Sequence, residues 1–206
     1  MSDPLFGRVD ESPDPAFYVA PRRVTHIDER AIAAVTALYG ELLPAAGPVL
    51  DLMSSWRSHL PREHPRPVVG LGLNREEMAD NPQLDEVVVH DLNADPALPF
   101  DDGALTAVVC CVSVQYLVRP FDTFAEVARV LRPDGPFVVT FSNRCFPSKA
   151  VAAWRAGDDE DHLLLVDAYF RAVPAFGPSQ ARSHRPGWGD PLHAMWARRL
   201  EPDPQL

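Results

Sequence analysis

Short apolar runs alternate with stretches of helical spacing along most of this chain. Val49-Leu50-Asp51-Leu52 and Val68-Val69-Gly70-Leu71 read as buried parallel strands. Three further strand candidates stand at 86–90, 107–112 and 136–142. Between these runs the period changes. Over residues 26–43 apolar side chains fall at 27, 31, 32, 35, 38, 39, 42 and 43, a helical stripe that Asp28 or Thr25 is placed to cap. Helices are also expected around 75–81, over 121–131 before Pro133-Asp134-Gly135, and from His162 to Val173. Segments 179–186 and 191–199 read as two last strands joined by the turn Pro186-Gly187-Trp188-Gly189-Asp190. Strands alternating with helices predict βαβ units and a parallel sheet. Residues 1–20, with prolines at 4, 13 and 15 and few apolar positions, predict a mobile or loosely docked arm.

Composition narrows the function. A chain of 206 residues fits one domain with a real core. The formal charge of −10 argues against a nucleic-acid partner and leaves small molecules as the expected substrates. No apolar stretch approaches the roughly 18–20 residues of a membrane span, and the acidic, Pro-rich N-terminus is unlike a signal peptide. No membrane partner and a cytoplasmic location are therefore expected. The three cysteines, two of them adjacent in a strand candidate, read as core thiols. His59 and His64 have no evident third ligand, so no metal site is expected. No Gly-x-Ser-x-Gly elbow supports a serine hydrolase.

The block EVVVHDLNADPALPFDDGALTAVVCCVSVQYLVRPFDTFAEVARVLRPDGPFVVTFSN, residues 86–143, carries a resemblance. It is similar to the second half of a small class I S-adenosylmethionine-dependent methyltransferase of the type 11 kind. The resemblance covers roughly residues 24–200 and implies an α/β, doubly wound, mostly parallel seven-stranded sheet (Rossmann-like) ending in an antiparallel hairpin. It implies an N-terminal arm at 1–23, one methyltransferase-like domain at 24–200 and a C-terminal tail at 201–206. The expected activity is S-adenosylmethionine-dependent methyl transfer to a small-molecule nucleophile. The alternative is a non-catalytic binding or regulatory protein on a methyltransferase scaffold.

Two departures from the family motivate that alternative. After the first strand the family carries a loop of the form D-x-G-x-G-x-G, whereas this chain reads Asp51-Leu52-Met53-Ser54-Ser55-Trp56-Arg57. Ser54 and Ser55 are expected to offer hydroxyls to the cofactor in place of close backbone amides. At the end of the second strand, where the family places a ribose-binding acid, stands Gly72. Asn74 is the nearest substitute, with Glu76 or Glu77 within reach, and an acid restored at Gly72 is expected to tighten binding.

The third strand end fits the family pattern. Asp91 is expected at the adenine amino group and Leu92 over the ring, against a simple loop-capping role for Asp91. Ser113 and Gln115 are expected to face the cleft beside the methionine moiety. Tyr18, Arg22 and His26 are lid candidates, with Arg22 or Arg23 able to pair the methionine carboxylate. Trp56, His59, Asn143, Arg144 and Phe146 are candidates for facing the methyl acceptor. No general base is assigned, because methyl transfer needs one only when the acceptor must lose a proton.

Overall fold

The computed structural model describes residues 4–64 and 66–201. One seven-stranded sheet runs through it. In chain order the strands are β1 (Val49–Leu52), β2 (Val68–Gly72), β3 (Glu86–Val89), β4 (Ala107–Cys111), β5 (Pro136–Phe141), β6 (Gln180–His184) and β7 (Leu192–Arg198). Their order across the sheet is β3-β2-β1-β4-β5-β7-β6. The first five are parallel, and β7 runs antiparallel to both β5 and β6. This is the doubly wound sheet with a terminal hairpin that the sequence implied.

The helices are α1 (Asp14–Phe17), α2 (Glu29–Leu42), α3 (Arg75–Ala79), α4 (Pro120–Val130), α5 (Ala152–Ala156) and α6 (Asp159–Arg171). Local chemistry fixes their starts. The Asp28 side chain accepts from the amides of Arg30 and Ala31, so Asp28 rather than Thr25 caps α2. Pro120 opens α4, where its missing N–H costs nothing. Asp158 and Asp161 form a reciprocal capping box at α6. No helix among the described residues is long and apolar enough to cross a membrane.

Two apolar layers hold these helices to the sheet. On one side Phe124 of α4 and Tyr169 and Phe170 of α6 meet Phe137 of β5 in a chain of edge-to-face rings 4.9–5.5 Å apart. On the other, Ala31, Val35, Leu38 and Tyr39 of α2 pack with Val68, Val109 and Val138. Truncating a fully buried ring such as Phe124 to alanine typically costs about 3–5 kcal/mol. His193 of β7 is buried and stacked on Phe141 at 5.6 Å. Its Nδ1 lies 2.8 Å from the Ser183 hydroxyl and its Nε2 3.1 Å from Asp159, tying the hairpin to the start of α6.

The N-terminal segment differs from the loose arm read from composition. The chain's single lysine, Lys149, is 0% exposed, and its Nζ donates to the carbonyls of Asp10 and Ser12. The same ammonium lies 3.3 Å from the Asp10 carboxylate and 3.2 Å from that of Asp14. Arg8 meets Asp14 with both carboxylate oxygens at 2.7 and 2.8 Å. Burial pushes the Asp14 carboxyl up, but hydrogen bonds from Asn93 and Arg8 and the cations beside it bring it below its ordinary range. Backbone bonds from Asp10 to Ser148 and from Ala152 to Gly7 complete the seam. The arm is thus a docked element. Its anchor lies more than a hundred positions away in sequence, which composition does not reveal. The expected tail at 201–206 lies, apart from Glu201, outside the described residues.

Candidate functional site

In an open α/β sheet the crevice forms at the carboxyl ends of the strands where the strand order reverses, here between β1 and β4. A cleft of about 1170 Å³, including its open mouth, lies at that point. The loops following β1, β2, β3 and β4 make its floor. The docked arm, from Tyr18 to Ile27, and Phe146 from the loop after β5 close over it.

The loop after β1 satisfies itself. Asp51 is 3% exposed, and its Oδ2 accepts from the Ser54 and Ser58 hydroxyls, both at 2.6 Å. Burial pushes this carboxyl up to about 6 against the lowering effect of the two hydroxyls. Ser55 donates instead to Oε2 of Glu77 at 2.6 Å, while Oε1 of Glu77 accepts from the Arg22 amide at 2.6 Å. Both serine hydroxyls expected at the cofactor are therefore directed to carboxylates of the chain. Met53, at the first glycine position of the family loop, adopts φ 59°, the left-handed conformation that glycine takes freely. His59 and Val112, also in the cleft lining, have φ 56° and 48°. Three left-handed side-chain-bearing residues around one cleft are strain concentrated at a site.

The end of β2 is closed by the same loop. The Ser54 amide donates to the Leu71 carbonyl at 2.8 Å, and the Ser54 backbone lies where a β-carbon on Gly72 would have to go. No side chain fits at Gly72, which overturns the expectation that an acid there would improve the site. Asn74 is fully engaged. Its side-chain oxygen caps α3 through the Glu77 amide, and its Nδ2 donates to the carbonyls of Tyr18 and Val19. The carboxylate at this end of the cleft is Glu77, 6% exposed, carried by α3 rather than by the strand end.

At the end of β3, Oδ1 of Asp91 accepts from the amides of Asn93 and Ala94, the loop-capping role, while its Oδ2 takes no partner among the described residues. Asp91 and buried Leu92 both line the cleft. Asn93 beside them donates to Asp14 and the Tyr116 carbonyl and accepts from the Val118 amide, joining arm to floor. After β4, Ser113 lines the cleft with its hydroxyl turned to the Cys111 carbonyl. Gln115 is 0% exposed and lies outside the lining, its amide bonded to the carbonyls of Val112 and Arg144.

The lid candidates Tyr18, Arg22 and His26 all border the cleft. The Arg22 guanidinium sits over Phe17, Tyr18 and Phe146 at 4.3–5.4 Å, donates to the Phe17 carbonyl, and keeps Nη1 buried with no partner. Arg23 points away, paired with Glu76 and Asp80. Of the acceptor-facing candidates, Trp56, His59 and Phe146 line the cleft. Asn143 lines a separate groove beside Trp154 and His162, and Arg144 is exposed, 3.8 Å from Asp190. Glu77, named from the sequence beside Asn74, lines the cleft, as do Cys111 and Tyr116 of the segment after β4 expected beside the methionine moiety; Met53 lines it too, though the sequence does not single it out.

Residues 57–139 match the family model described as "Methyltransferase domain". No curated protein matches the sequence. Solved structures agree in fold. A geranyl diphosphate C-methyltransferase from Streptomyces coelicolor A3(2), in complex with Mg2+, geranyl diphosphate and S-adenosyl-L-homocysteine, is 17% identical, with 95% of this chain and 88% of that one covered and a TM-score of 0.56. An S-adenosylmethionine-dependent methyltransferase from Mesorhizobium loti is 16% identical, covering 79% and 96% of the two chains, with a TM-score of 0.53. The [4+2]-cyclase SpnF is 15% identical, with 81% of each chain covered and a TM-score of 0.56. Residues 57–139 thus match a methyltransferase domain, and the whole sheet has the fold of these methyltransferase structures.

Proposed function

We propose that the protein transfers a methyl group from S-adenosylmethionine to a small-molecule nucleophile in the cleft between β1 and β4. The observation that carries this reading is Asp91, in the lining at the end of β3 with Oδ2 free of partners among the described residues. That oxygen is available to the adenine amino group, with Leu92 against the ring. Glu77 is the carboxylate within reach of the ribose, and Arg22 Nη1, buried and unpartnered, is the donor for the methionine carboxylate. The family match over 57–139 and the S-adenosyl-L-homocysteine named in the Streptomyces structure support the same cofactor.

S-adenosylmethionine supplies the electrophilic methyl group. The chain's residues bind and align, which is most of what an in-line displacement asks of a protein. Tyr18, Arg22 and Phe146 over the mouth exclude water. The test is calorimetric titration of the ligand-stripped protein with S-adenosylmethionine and S-adenosylhomocysteine. Micromolar binding that Asp91→Ala weakens by about 1–3 kcal/mol is expected. No binding at millimolar concentration would refute the proposal.

A further inference from the structure

We propose that the imidazole of His59, with His26 in the lining of the same cleft, takes the proton of an aromatic hydroxyl acceptor as its oxygen is methylated. The inference rests on the methyl-transfer reading and adds to it an acceptor class and a catalytic residue.

His59 is built into the cleft wall at some cost. Its backbone is left-handed, φ 56°, and its carbonyl is held from α2 by the Thr36 hydroxyl at 2.9 Å. A histidine kept in that conformation needs a reason, and such strain gathers at working sites. Among the described residues neither ring nitrogen of His59 or of His26 has a hydrogen-bond partner, although both rings border the cleft. His26 is exposed and His59 half-buried, so their free nitrogens open onto the cleft rather than into packed core, where a ligand would meet them.

The electrostatics keep that proton-accepting capacity. Burial pushes His59 below the ordinary histidine range, and the positive charge of Arg57 and the neighbouring His26 act in the same direction. His26 is pushed down by burial, with Glu77 of α3 opposing and Arg22 and Arg144 assisting. Both rings are therefore biased further toward the neutral form than a free histidine. A neutral imidazole is of use to an acceptor that must lose a proton. A free amine already carries its lone pair, whereas a hydroxyl does not become a strong nucleophile until its proton has somewhere to go.

The walls select the shape of the acceptor. Trp56 is fixed by its indole N–H to the Val24 carbonyl at 2.9 Å, and Phe146 stacks on Tyr116 at 6.1 Å and meets His26 edge-on at 5.2 Å. Flat aromatic faces with neutral imidazoles fit a ring bearing a hydroxyl. The step balances as follows. The acceptor O–H proton passes to a ring nitrogen of His59, and the oxygen lone pair forms the new O–C bond to the sulfonium methyl. That carbon's bond to sulfur breaks, with its electron pair returning to sulfur. The products are an aryl methyl ether, S-adenosylhomocysteine and an imidazolium that loses its proton to water.

The experiment uses the full chain with 4-nitrophenol, whose ionisation is read by absorbance, and with 4-nitroanisole, which has the same ring and no proton to give. The wild type should bind 4-nitrophenol with its ionisation shifted to lower pH. His59→Asn, chosen because asparagine tolerates left-handed backbone, should lose that shift and at least tenfold in affinity while binding 4-nitroanisole unchanged. Methyl transfer to 4-nitrophenol should fall about a hundredfold or more, with loss of the acidic limb of its pH profile. His59→Gly, with imidazole restoring the ionisation, is the second variant. Equal nitrophenol ionisation in wild type and variant, or binding only as the neutral phenol, overturns the proposal. S-adenosylhomocysteine binding, measured separately, tells the two readings apart. If it is absent while the His59-dependent ionisation persists, the methyl-transfer reading fails and the hydroxyl site stands. If it is present without that ionisation, only the hydroxyl site fails.

Discussion

The Ser54 backbone lies across the end of β2 so closely that Gly72 has no room for a side chain, and the Met78 sulfur would stand 3.1 Å from a β-carbon placed there. Gly72→Asp would therefore force the β1 loop or α3 to move. A loss of about 1–3 kcal/mol is expected, from overpacking at a site bounded by backbone. Urea denaturation of the variant measures it, and cofactor affinity should fall rather than rise.

Asp51 gives the fold a pH dependence with an unusual sign. Its folded pKa of about 6 lies above the ordinary carboxyl value of 3.8, so the folded state holds the proton more tightly than the unfolded one. Its contribution is full below pH 4 and is lost as pH rises towards 6, by up to about 3 kcal/mol at 1.36 kcal/mol per pH unit. Asp51→Asn, whose amide oxygen still accepts from Ser54 and Ser58, should remove it. The stability of the variant relative to wild type should climb between pH 4 and 6 and stay level above 7. A gap that does not vary with pH would show that the ionised carboxylate is no burden there. The depressed histidines His26 and His59 act in the opposite sense, gaining stability as pH rises to 6.5, so the difference between variant and wild type is the quantity to measure.

Lys149→Met should free the arm. The substitution keeps the volume of the stem but leaves the Asp10 and Asp14 carboxylates without their shared cation, and breaking a buried pair costs about 3–5 kcal/mol. Limited proteolysis between Gly7 and Phe17, slow in the wild type, should become fast. Cofactor affinity should drop as well, because Asn93, which steadies the cleft floor, loses the firm position of its partner Asp14.

Glu77→Gln tests the link between loop and lid. The carboxylate receives the Ser55 hydroxyl and the Arg22 amide on its two oxygens. Glutamine can keep its oxygen on the Arg22 amide and turn its NH2 to the Ser55 hydroxyl, which then accepts, so both bonds survive without the carboxylate charge. A loss of about 1 kcal/mol is expected by urea denaturation, together with weaker S-adenosylhomocysteine binding by calorimetry. An unchanged affinity would take Glu77 out of the cofactor site.

The strands and the main helices were legible because buried parallel strands are short apolar runs and α2 shows a full helical stripe. The sheet order followed from the resemblance. What the sequence did not show was the destination of its polar groups. Ser54 and Ser55 line the cleft as their position suggests, but their hydroxyls donate to the carboxylates of Asp51 and Glu77. Asn74 looks like a ribose binder, yet the start of α3 and the arm use both ends of its amide. Met53 keeps a glycine-like backbone without being glycine, a choice that propensity argues against and only the tertiary packing of the loop enforces. Long-range polar pairing leaves no periodicity, so it is the part that sequence reading loses.

Lys149 has one more consequence. It is the chain's single ε-amine, and in the folded protein it is sealed from solvent beneath the arm. Amine-reactive reagents cannot reach it while the arm is down, so the rate at which this one side chain is acylated counts arm openings. A mass increment mapped to Lys149 itself, timed with and without ligand, would read the gating of the cleft from a residue that never enters it.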